Sequence, residues 1–330
     1  MMRGVPAVLV VNAGSTSLKL DVVGDDDTTT RIASLDEAGA VGAVGHRIVH
    51  GGARFLEPVV LSPEVKDEIA ELSVLAPLHN RVALDAVEQA ERALPDVPHV
   101  AVFDTSFHRS MPQEATTYAL PRRWREELGV RRYGFHGLSI AWSAERVPVS
   151  RLVVCHLGGG CSITAVADGR SVATTMGFSP LEGVPMATRA GSVDPGALLY
   201  LLREGLVSVE EMDHALEYES GLAALGGLEN PLAFSVYAHR IAGSIASMAA
   251  SLDGLDAIVF TAGVGENVPA VRAEVCRRLA FLGVELDPDL NDAAEPDADV
   301  AAASSQARVV VVHAREELMV ARAVRNLYRA

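Results

Sequence analysis

Two stretches of this chain repeat one pattern: an apolar run, a turn of glycines and small hydroxyl residues, and a second apolar run. The first copy covers residues 8–20 and the second covers residues 152–166. Each copy predicts a β-hairpin, because two strand-like runs flank a short glycine-containing turn. A single glycine turn is usually only a turn, but bare backbone N–H groups and small hydroxyls can also surround a phosphate. Two copies therefore predict a duplicated domain that holds a polyphosphate between its halves.

The rest of the pattern alternates between strands and helices. Strands are predicted over residues 30–35, 41–49, 100–103, 257–260 and 309–312, with one more ending at Thr175. Helices are predicted after Ser62, Asp194 and Ser208, over 81–94, 232–252 and 271–282, and onward from Glu317. The first three follow N-terminal capping signals. The alternation favours an α/β fold with mixed sheets. Residues 285–307 are predicted to form a mobile acidic excursion.

Chain length and composition indicate the number of domains and the class of protein. With 330 residues, two domains with separate cores are expected, divided near residues 143–150. The chain is 49% hydrophobic and 22% charged, which is typical of soluble globular proteins. It has neither a signal-peptide pattern nor an apolar run long enough to span a membrane, so a soluble cytoplasmic protein is predicted, with no membrane partner.

The net charge of −15 excludes one class of partner and constrains another. Nucleic-acid binding needs a basic surface, so no nucleic-acid partner is expected. Anionic substrates would be repelled by the overall field, so their attraction must come from local arginines and a divalent metal ion. The three cysteines lack metal-ligand spacing, and burial is the expected role of Cys155 and Cys276.

Two arginines could supply that local attraction directly, and two carboxylates could supply it by holding a metal ion. Arg47 and Arg189 lie at a strand end or in a loop among small residues, where a guanidinium group could bind a carboxylate or phosphate as a fork. Asp104 follows a strand and Glu316 precedes the last helix. Carboxylate oxygens are the hard ligands that a partly hydrated Mg²⁺ prefers.

Two further features could contact a phosphate. Residues 263–267 form a third glycine-rich turn before a helix, whose N-terminus carries partial positive charge. His136 lies between Gly134 and Gly137 and could donate to a phosphoryl oxygen. Three other histidines have similar sequence neighbours, and chemistry alone does not show which of them contacts a ligand. They are His50, His79 and His108.

Longer motifs connect these residues to a known family. In chain order they are residues 12–19, 45–52, 76–80, 102–108, 131–137, 176–183, 261–267 and 316–318. Together they resemble the acetate kinase family from the first hairpin to the last helix. The resemblance implies an α/β, duplicated actin-like ATPase fold (ribonuclease H-like), with ligands in a cleft between two domains. It implies an acyl- and metal-binding lobe over residues 1–148, joined by helix 317–330, and a nucleotide-binding lobe over residues 149–316.

The resemblance also implies a role for each candidate residue. Arg47 and Arg189 would hold the acyl carboxylate and the transferring phosphoryl group, and His136 would donate to that group, with His79 beside it. The implied catalytic set is Arg47, Asp104, His136 and Arg189. The ligands of Mg²⁺, or alternatively Mn²⁺, would be Asn12, Asp104 and Glu316. The acyl pocket would comprise Val49, Leu78, Phe135 and Pro180. The nucleotide contacts would be Ser15, Lys19, His156, Gly158, Gly159, Gly160, Ala262, Gly263, Val264 and Asn267.

The implied reaction is reversible phosphoryl transfer between ATP and acetate or propionate, which gives ADP and an acyl phosphate. A carboxylate oxygen would attack the γ-phosphoryl group in line, without a covalent enzyme intermediate. One methylene is worth about 1–3 kcal/mol in such a pocket, so acetate and propionate are not separated. The resemblance also implies a homodimer.

The chain departs from the family pattern mainly on the nucleotide side. Gly159 stands where the family usually has asparagine, and no Ser-Ser-Asp-x-Arg stretch follows residues 220–222. Leu138 replaces a threonine, and residues 314–315 replace a usual Thr-Asn pair. Two alternatives stay open at this point. One is the same transfer from another phosphoryl donor, such as pyrophosphate; the other is a non-catalytic protein that binds a nucleotide or an acyl phosphate.

Overall fold

The computed structural model describes residues 7–14, 18–74 and 77–329, apart from the side chains of residues 74 and 77–79. This part of the chain divides into two compact units. The first comprises residues up to Arg109, Phe135–Trp142 and the residues from Arg315 onward; the second comprises Ser110–Gly134 and Ser143–Ala314. The lobe boundary near residue 148 stays a prediction. In the described residues, no helix combines the length and the apolar character that crossing a membrane requires.

Strands and helices are numbered in chain order. The strands are β1 Val8–Ala13, β2 Leu18–Val23, β3 Thr29–Ile32, β4 Ala43–Ile48, β5 Val59–Val60, β6 His99–Phe103, β7 Arg151–Leu157, β8 Cys161–Ala167, β9 Arg170–Thr174, β10 Ala257–Thr261, β11 Ala298–Asp299 and β12 Arg308–Val311. The helices are α1 Pro63–Glu71, α2 Pro77–Ala93, α3 Gln113–Thr116, α4 Arg122–Glu126, α5 Gly137–Arg146, α6 Pro195–Arg203, α7 Val209–Tyr218, α8 Gly221–Ala224, α9 Pro231–Ser251, α10 Ala262–Asn267, α11 Pro269–Arg278, α12 Pro288–Asp292 and α13 Glu316–Leu327.

The two units contain sheets with the same topology. The sheet of the first unit has the order β3-β2-β1-β4-β6-β5, and the sheet of the second has the order β9-β8-β7-β10-β12-β11. In each sheet the three central strands are parallel, and every pairing outside these three is antiparallel. The two repeated hairpins supply the first two strands of each sheet in chain order, β1–β2 and β7–β8. The duplication predicted from the hydrophobic pattern is therefore confirmed.

Helices cover both faces of the first sheet. Val44 of β4 packs in one hydrophobic cluster with Ala86 and Ala90 of α2. The next residue, Gly45, faces the other side, where an added Cβ would lie 2.6 Å from a methyl carbon of Val320 on α13. Successive strand residues point to opposite faces, so α2 and α13 lie on opposite faces of this sheet. The glycine allows the close approach of α13, which brings Glu316 at its first turn to the sheet.

The carboxyl ends of the parallel strands carry the candidate residues. In the first unit, Asn12 and Arg47 lie near the ends of β1 and β4, and Asp104 follows β6 directly. In the second unit, Gly158 follows β7 and Ala262 follows β10. Parallel strands end at one edge of their sheet, and ligands of open α/β sheets bind at that edge.

The prediction for residues 285–307 was wrong. This segment contains helix α12 and strand β11, which pairs with β12. Asn291 of α12 is buried and accepts a 2.7 Å hydrogen bond through Oδ1 from Nε of the buried Arg272 on α11. The sequence did not reveal this contact. The segment is acidic in composition, and the residue that holds it in place is a buried amide, Asn291, which belongs to no apolar stripe.

Candidate active site

A chain of hydrogen bonds connects four polar residues in the first unit. Arg47 donates through Nη2 to Oδ2 of Asp104 and through Nη1 to Oδ1 of Asn12, the latter over 3.3 Å. Asn12 in turn donates through Nδ2 to Oε2 of Glu316 over 3.1 Å. Asp104 is fully buried, whereas the Arg47 side chain keeps 12% of its surface exposed. The structure thus brings together Arg47, Asp104, Asn12 and Glu316, from positions far apart in the sequence.

Burial and charge together set the ionisation of this cluster. Burial raises the pKa of Asp104 to about 6; Arg47 opposes that shift and Glu316 adds to it. Burial lowers the pKa of Arg47, but the neighbouring Asp104 and Glu316 carboxylates outweigh it and hold that pKa above its ordinary value. Arg47 therefore stays a cation beside a carboxyl group that titrates closer to neutrality than usual.

The same cluster has the chemistry of a metal site. Oδ1 of Asp104 is buried and has no hydrogen-bond partner among the described residues. Two carboxylates and an amide oxygen are hard ligands, and Mg²⁺ commonly takes one or two carboxylates together with substrate phosphates. The described residues include no group of three or more His, Cys, Asp or Glu side chains that could hold an ion by themselves. A site completed by substrate oxygens therefore fits these residues.

Close backbone packing places His136 beside Asp104. Gly137 donates its N–H to the Asp104 carbonyl oxygen over 3.0 Å, and a Cβ added at Gly137 would lie 2.1 Å from that oxygen. Only glycine allows this approach. His136 has a φ of 61°, in the left-handed region, and a hydrogen bond from its backbone N–H opposes a small part of the rise in the pKa of Asp104 that burial causes. His136 thus holds a strained conformation next to the cluster.

Val49 and Phe135, which were predicted to form an acyl pocket, are both buried in the first unit. His108 fixes Phe135: its Nε2 donates to the Phe135 carbonyl oxygen over 2.9 Å. Asn80 is fully buried and binds the backbone of His50 twice, at 3.1 and 2.9 Å. Sequence reasoning did not select Asn80, although it lies within the 76–80 motif.

For three of the predicted residues, the structure describes no side chain. Ser15 lies outside the described residues. Leu78 and His79 belong to the first turn of α2, and only their backbone is described. Lys19 is exposed on β2 and lies opposite Asn12 in the β1–β2 register.

In the second unit, the glycine hairpin lies against the loop that carries Arg189. Ala187 donates its N–H to the Gly159 carbonyl oxygen over 3.3 Å. A Cβ added at Gly158 would lie 3.5 Å from the Cβ of Ala262, which begins α10, whereas one added at Gly159 would meet nothing within 4 Å. The hairpin, the Arg189 loop and the start of α10 are thus neighbours. The space beside Gly159 can accept a larger side chain.

Arg189 itself is held by a residue that sequence reasoning missed. Its Nε donates to Oε2 of Glu217 on α7 over 2.7 Å. The two side chains are only 16% and 11% exposed. No motif marked Glu217, because its partner lies 28 positions away in the sequence.

A polar network anchors the loop that carries Pro180. Arg132 donates through Nη2 to Oε1 of Glu182 over 2.6 Å, and Tyr118 donates to the other oxygen of that carboxylate. A Cβ added at Gly177 would lie 1.8 Å from the Glu182 carboxylate. Tyr118 and Glu182 therefore position this loop, and neither was a sequence candidate for the site.

The predicted glycine-rich turn at residues 263–267 is part of helix α10. Glu266 accepts at Oε1 from the backbone N–H groups of Ala262 and Ala314, each over 2.9 Å. Asn267 donates to the Gly263 carbonyl oxygen over 2.8 Å. His156 is buried at the end of β7. Glu266 thus connects the carboxyl ends of β10 and β12.

Comparison with protein families decides the affiliation of the chain. The model of the acetokinase family matches residues 27–322, which is most of the sequence. The chain belongs to the acetokinase family.

Named relatives and solved structures agree with this acetokinase assignment. The chain is 43% identical to an acetate kinase of Protochlamydia amoebophila, in a match that covers 88% of this chain and 78% of the relative. A propionate kinase structure from Francisella tularensis matches with a TM-score of 0.89 at 30% identity, covering 96% of this chain and 98% of that one. An acetate kinase structure from Entamoeba histolytica matches with a TM-score of 0.87 at 29% identity, covering 98% and 100%.

These findings confirm the expected fold class and enzyme class. The chain has the duplicated α/β fold of acetokinases, and it is an acyl kinase, a phosphotransferase with a carboxyl group as acceptor. Kinases of this kind use a divalent metal ion. The non-catalytic alternative and the alternative with another phosphoryl donor gain no support from these relatives.

Proposed function

We propose that this acetokinase catalyses reversible, Mg²⁺-dependent phosphoryl transfer between ATP and acetate or propionate. The observation that supports it most is the Arg47 network, in which one guanidinium group hydrogen-bonds to both Asp104 and Asn12. A permanent cation and buried oxygen ligands in one cluster suit a carboxylate and a phosphate that react together.

Charge compensation is the main contribution of the arginines. A carboxylate oxygen attacks the γ-phosphorus in line; the new O–P bond forms as the bond to the ADP oxygen breaks, and ADP leaves with the electron pair. Arg47 binds the acceptor carboxylate, and Arg189 stabilises the charge on the transferring group. An arginine in this role is worth about 10³–10⁵ in rate. His136 would donate to the same phosphoryl group, and His79 would support it.

Asn12, Asp104 and Glu316 would hold the Mg²⁺. The buried, unpartnered Oδ1 of Asp104 is the ligand atom that supports this assignment. When bound, the ion neutralises phosphate charge and helps to align the donor.

A small apolar pocket sets the acceptor size. The proposed pocket consists of Val49, Leu78, Phe135 and Pro180. The buried state of Val49 and Phe135 supports a pocket that admits a methyl or ethyl group. A longer tail would have to displace packed side chains, which costs free energy.

Glycine-rich turns and neighbouring polar residues contact the nucleotide in this proposal. The proposed contacts are Ser15, Lys19, His156, Gly158, Gly159, Gly160, Ala262, Gly263, Val264 and Asn267. The proximity of the glycine hairpin to Ala262 supports it, because the backbone N–H groups of glycine turns can bind phosphates.

A hydroxamate assay of acyl phosphate formation tests the function. Acetate, propionate and butyrate are each supplied with ATP, GTP or pyrophosphate, with Mg²⁺ or with EDTA. We expect turnover of acetate and propionate with ATP, less with butyrate, and none with EDTA. Turnover with pyrophosphate but not ATP would replace the proposed donor. No acyl phosphate with any donor would overturn the proposal.

We also propose a homodimer that pairs through α6. Among the described residues, α6 buries none of its side chains, and Leu199 and Tyr200 are 46% and 58% exposed. Light scattering should give twice the chain mass of 34.8 kDa. The double variant Leu199→Glu/Tyr200→Glu should be monomeric, whereas Phe281→Glu, at an apolar position 73% exposed elsewhere in the same unit, should not. A monomeric parent protein would overturn the dimer.

The predicted cytoplasmic location stays a prediction.

A further inference from the structure

Glu217 makes more than a surface ion pair with Arg189. Its carboxylate lies 2.7 Å from Nε of Arg189, and the two side chains are 11% and 16% exposed respectively. Fully exposed pairs contribute little because water screens them and the side chains lose conformational freedom. Here both groups are largely shielded from water. A carboxylate at Nε also fixes the plane of a guanidinium group, because that nitrogen belongs to the rigid fork.

The chain segment around Glu217 also fastens the backbone of the Arg189 loop. Thr188 donates through Oγ1 to the Glu217 carbonyl oxygen over 2.7 Å. The backbone N–H of Ser220 donates to the Thr188 carbonyl oxygen over 2.9 Å, and that of Leu222 donates to the Met186 carbonyl oxygen over 2.8 Å. On the other side of Arg189, the backbone N–H of Ala190 donates to the Leu216 carbonyl oxygen over 3.4 Å. The loop is therefore bound from the side of α7 and α8 on both flanks of Arg189.

Gly221 makes this close approach possible. Its φ is +64°, and an added Cβ would lie 2.2 Å from the Met186 carbonyl oxygen and 2.6 Å from the Arg189 carbonyl oxygen. No other residue fits between the two backbones. The segment that begins with Glu217 and ends after Gly221 is thus pressed against the loop, with Glu217 reaching the side chain and its neighbours reaching the main chain.

We propose that Glu217 is a positioning residue, which orients the Arg189 guanidinium for phosphoryl transfer; this rests on the proposed function of Arg189. A negative charge beside Arg189 weakens its attraction for an anion, so Glu217 does not serve substrate affinity. Instead, Glu217 fixes the orientation of the Arg189 guanidinium group. A misplaced catalytic group can lower the rate about 100-fold. Correct orientation can therefore outweigh the weaker attraction of Arg189 for the phosphoryl group.

Kinetics of Glu217→Ala and Glu217→Gln test the proposal. The alanine variant should lower kcat about 10- to 100-fold while KM for acetate changes less than about threefold. The glutamine variant should recover most of the lost kcat, because its amide oxygen still accepts from Nε–H. Should the alanine variant fail to fold, Glu217→Asp replaces it: the shorter side chain withdraws the acceptor, and its kcat should fall below that of Glu217→Gln.

Two controls separate positioning from stability and from charge. Glu219→Ala removes an exposed glutamate one residue beyond α7, whose carboxylate lies 3.4 Å from Nε2 of the exposed His214, and should keep full kcat. In the Arg189→Ala background, adding Glu217→Ala should change kcat less than about twofold, because the positioned group is already gone.

Specific results of these experiments would overturn the positioning role of Glu217. Unchanged or raised kcat in Glu217→Ala would overturn the proposal, and so would a glutamine variant as slow as the alanine variant, since charge alone would then explain the effect. A further loss of kcat in the double variant would also overturn it. A parent enzyme without acyl kinase activity would instead overturn the proposed function, before any Glu217 variant is compared.

Discussion

Arg47 hydrogen-bonds to Oδ2 of Asp104, while Oδ1 of the same carboxylate is buried without a hydrogen-bond partner among the described residues. The pair therefore has two separable functions. One oxygen balances the charge of the arginine, and the other stays available for a ligand. Changes at Arg47 and Asp104 should affect stability and activity differently.

Arg47→Ala should lower both the free energy of unfolding and the turnover. The substitution leaves the Asp104 carboxyl group buried without its counter-charge, which costs up to about 3–5 kcal/mol of unfolding free energy. Turnover should fall by at least about 10³-fold, because the acceptor carboxylate loses its cation. Urea unfolding and the hydroxamate assay measure the two effects.

The double variant Arg47→Ala/Asp104→Asn separates these effects. A neutral amide needs no counter-charge, so much of the lost stability should return. Activity should not return, because neither the cation nor the metal ligand is present. A double variant that regains turnover would show that Arg47 acts only through the fold.

Arg189→Ala should lower turnover by at least about 10²-fold and leave the fold intact. The loop backbone is held by hydrogen bonds to residues 216–223, which the substitution does not touch. Circular dichroism and turnover check this. Arg240→Ala, at an exposed arginine on α9, is the matched control and should have normal turnover. Normal turnover in Arg189→Ala would remove the main catalytic assignment.

Gly137→Ala should destabilise the first unit. The new Cβ would lie 2.1 Å from the Asp104 carbonyl oxygen, so the start of α5 must move away. Overpacking of this kind costs about 1–3 kcal/mol, and the shift should also lower kcat, because His136 and Asp104 lose their arrangement. Gly243→Ala on α9 is the control. An added Cβ there meets nothing within 4 Å, so a gain of about 0.5–1 kcal/mol is expected. Equal stabilities of the two variants would contradict the steric argument.

A buried histidine pair should make the protein sensitive to acid. His99 donates through Nε2 to the Leu94 carbonyl oxygen over 3.0 Å, so its Nδ1 accepts from Nε2–H of His46 over 2.9 Å. Nδ1 of His46 then has no hydrogen-bond partner among the described residues. Burial, with a smaller contribution from His99, lowers the pKa of His46 from 6.5 to about 3.

The lowered pKa fixes the sign of the pH effect. Below pH 6.5 the unfolded chain takes up a proton at His46 that the folded chain does not, so stability falls as the pH falls from about 6.5 towards 3. The limiting slope is about 1.4 kcal/mol per pH unit. His46→Gln keeps the donor to His99 but does not titrate, so its unfolding free energy should fall less over this range. Parallel pH profiles of the two proteins would contradict the prediction.

Local signals predicted several element boundaries correctly. Ser62 accepts at its hydroxyl from the Val65 N–H at the start of α1, and Ser208 forms the predicted capping box with Glu211. Asp194 caps α6, which has Pro195 in its first turn. Caps involve residues two or three positions apart, so the sequence contains both partners side by side.

Elements without a local signal were missed. Strand β5 spans only Val59–Val60, and helix α5 begins at Gly137 without a side-chain cap that the sequence could reveal. Segment 285–307 was misjudged because its fixed point is the buried Arg272–Asn291 contact. These features depend on partners that are distant in the chain.

Taken alone, the amino-acid order determined the repeated strand pairs, the starts of the capped helices α1, α6 and α7 and the kind of chemistry, because apolar periodicity, caps and motifs are local properties of a chain. The tertiary structure alone decided which carboxylate meets which arginine: Asp104 at Arg47 and Glu217 at Arg189. Those pairs join residues 57 and 28 positions apart. Packing of whole elements sets such distances, so no local pattern can encode them.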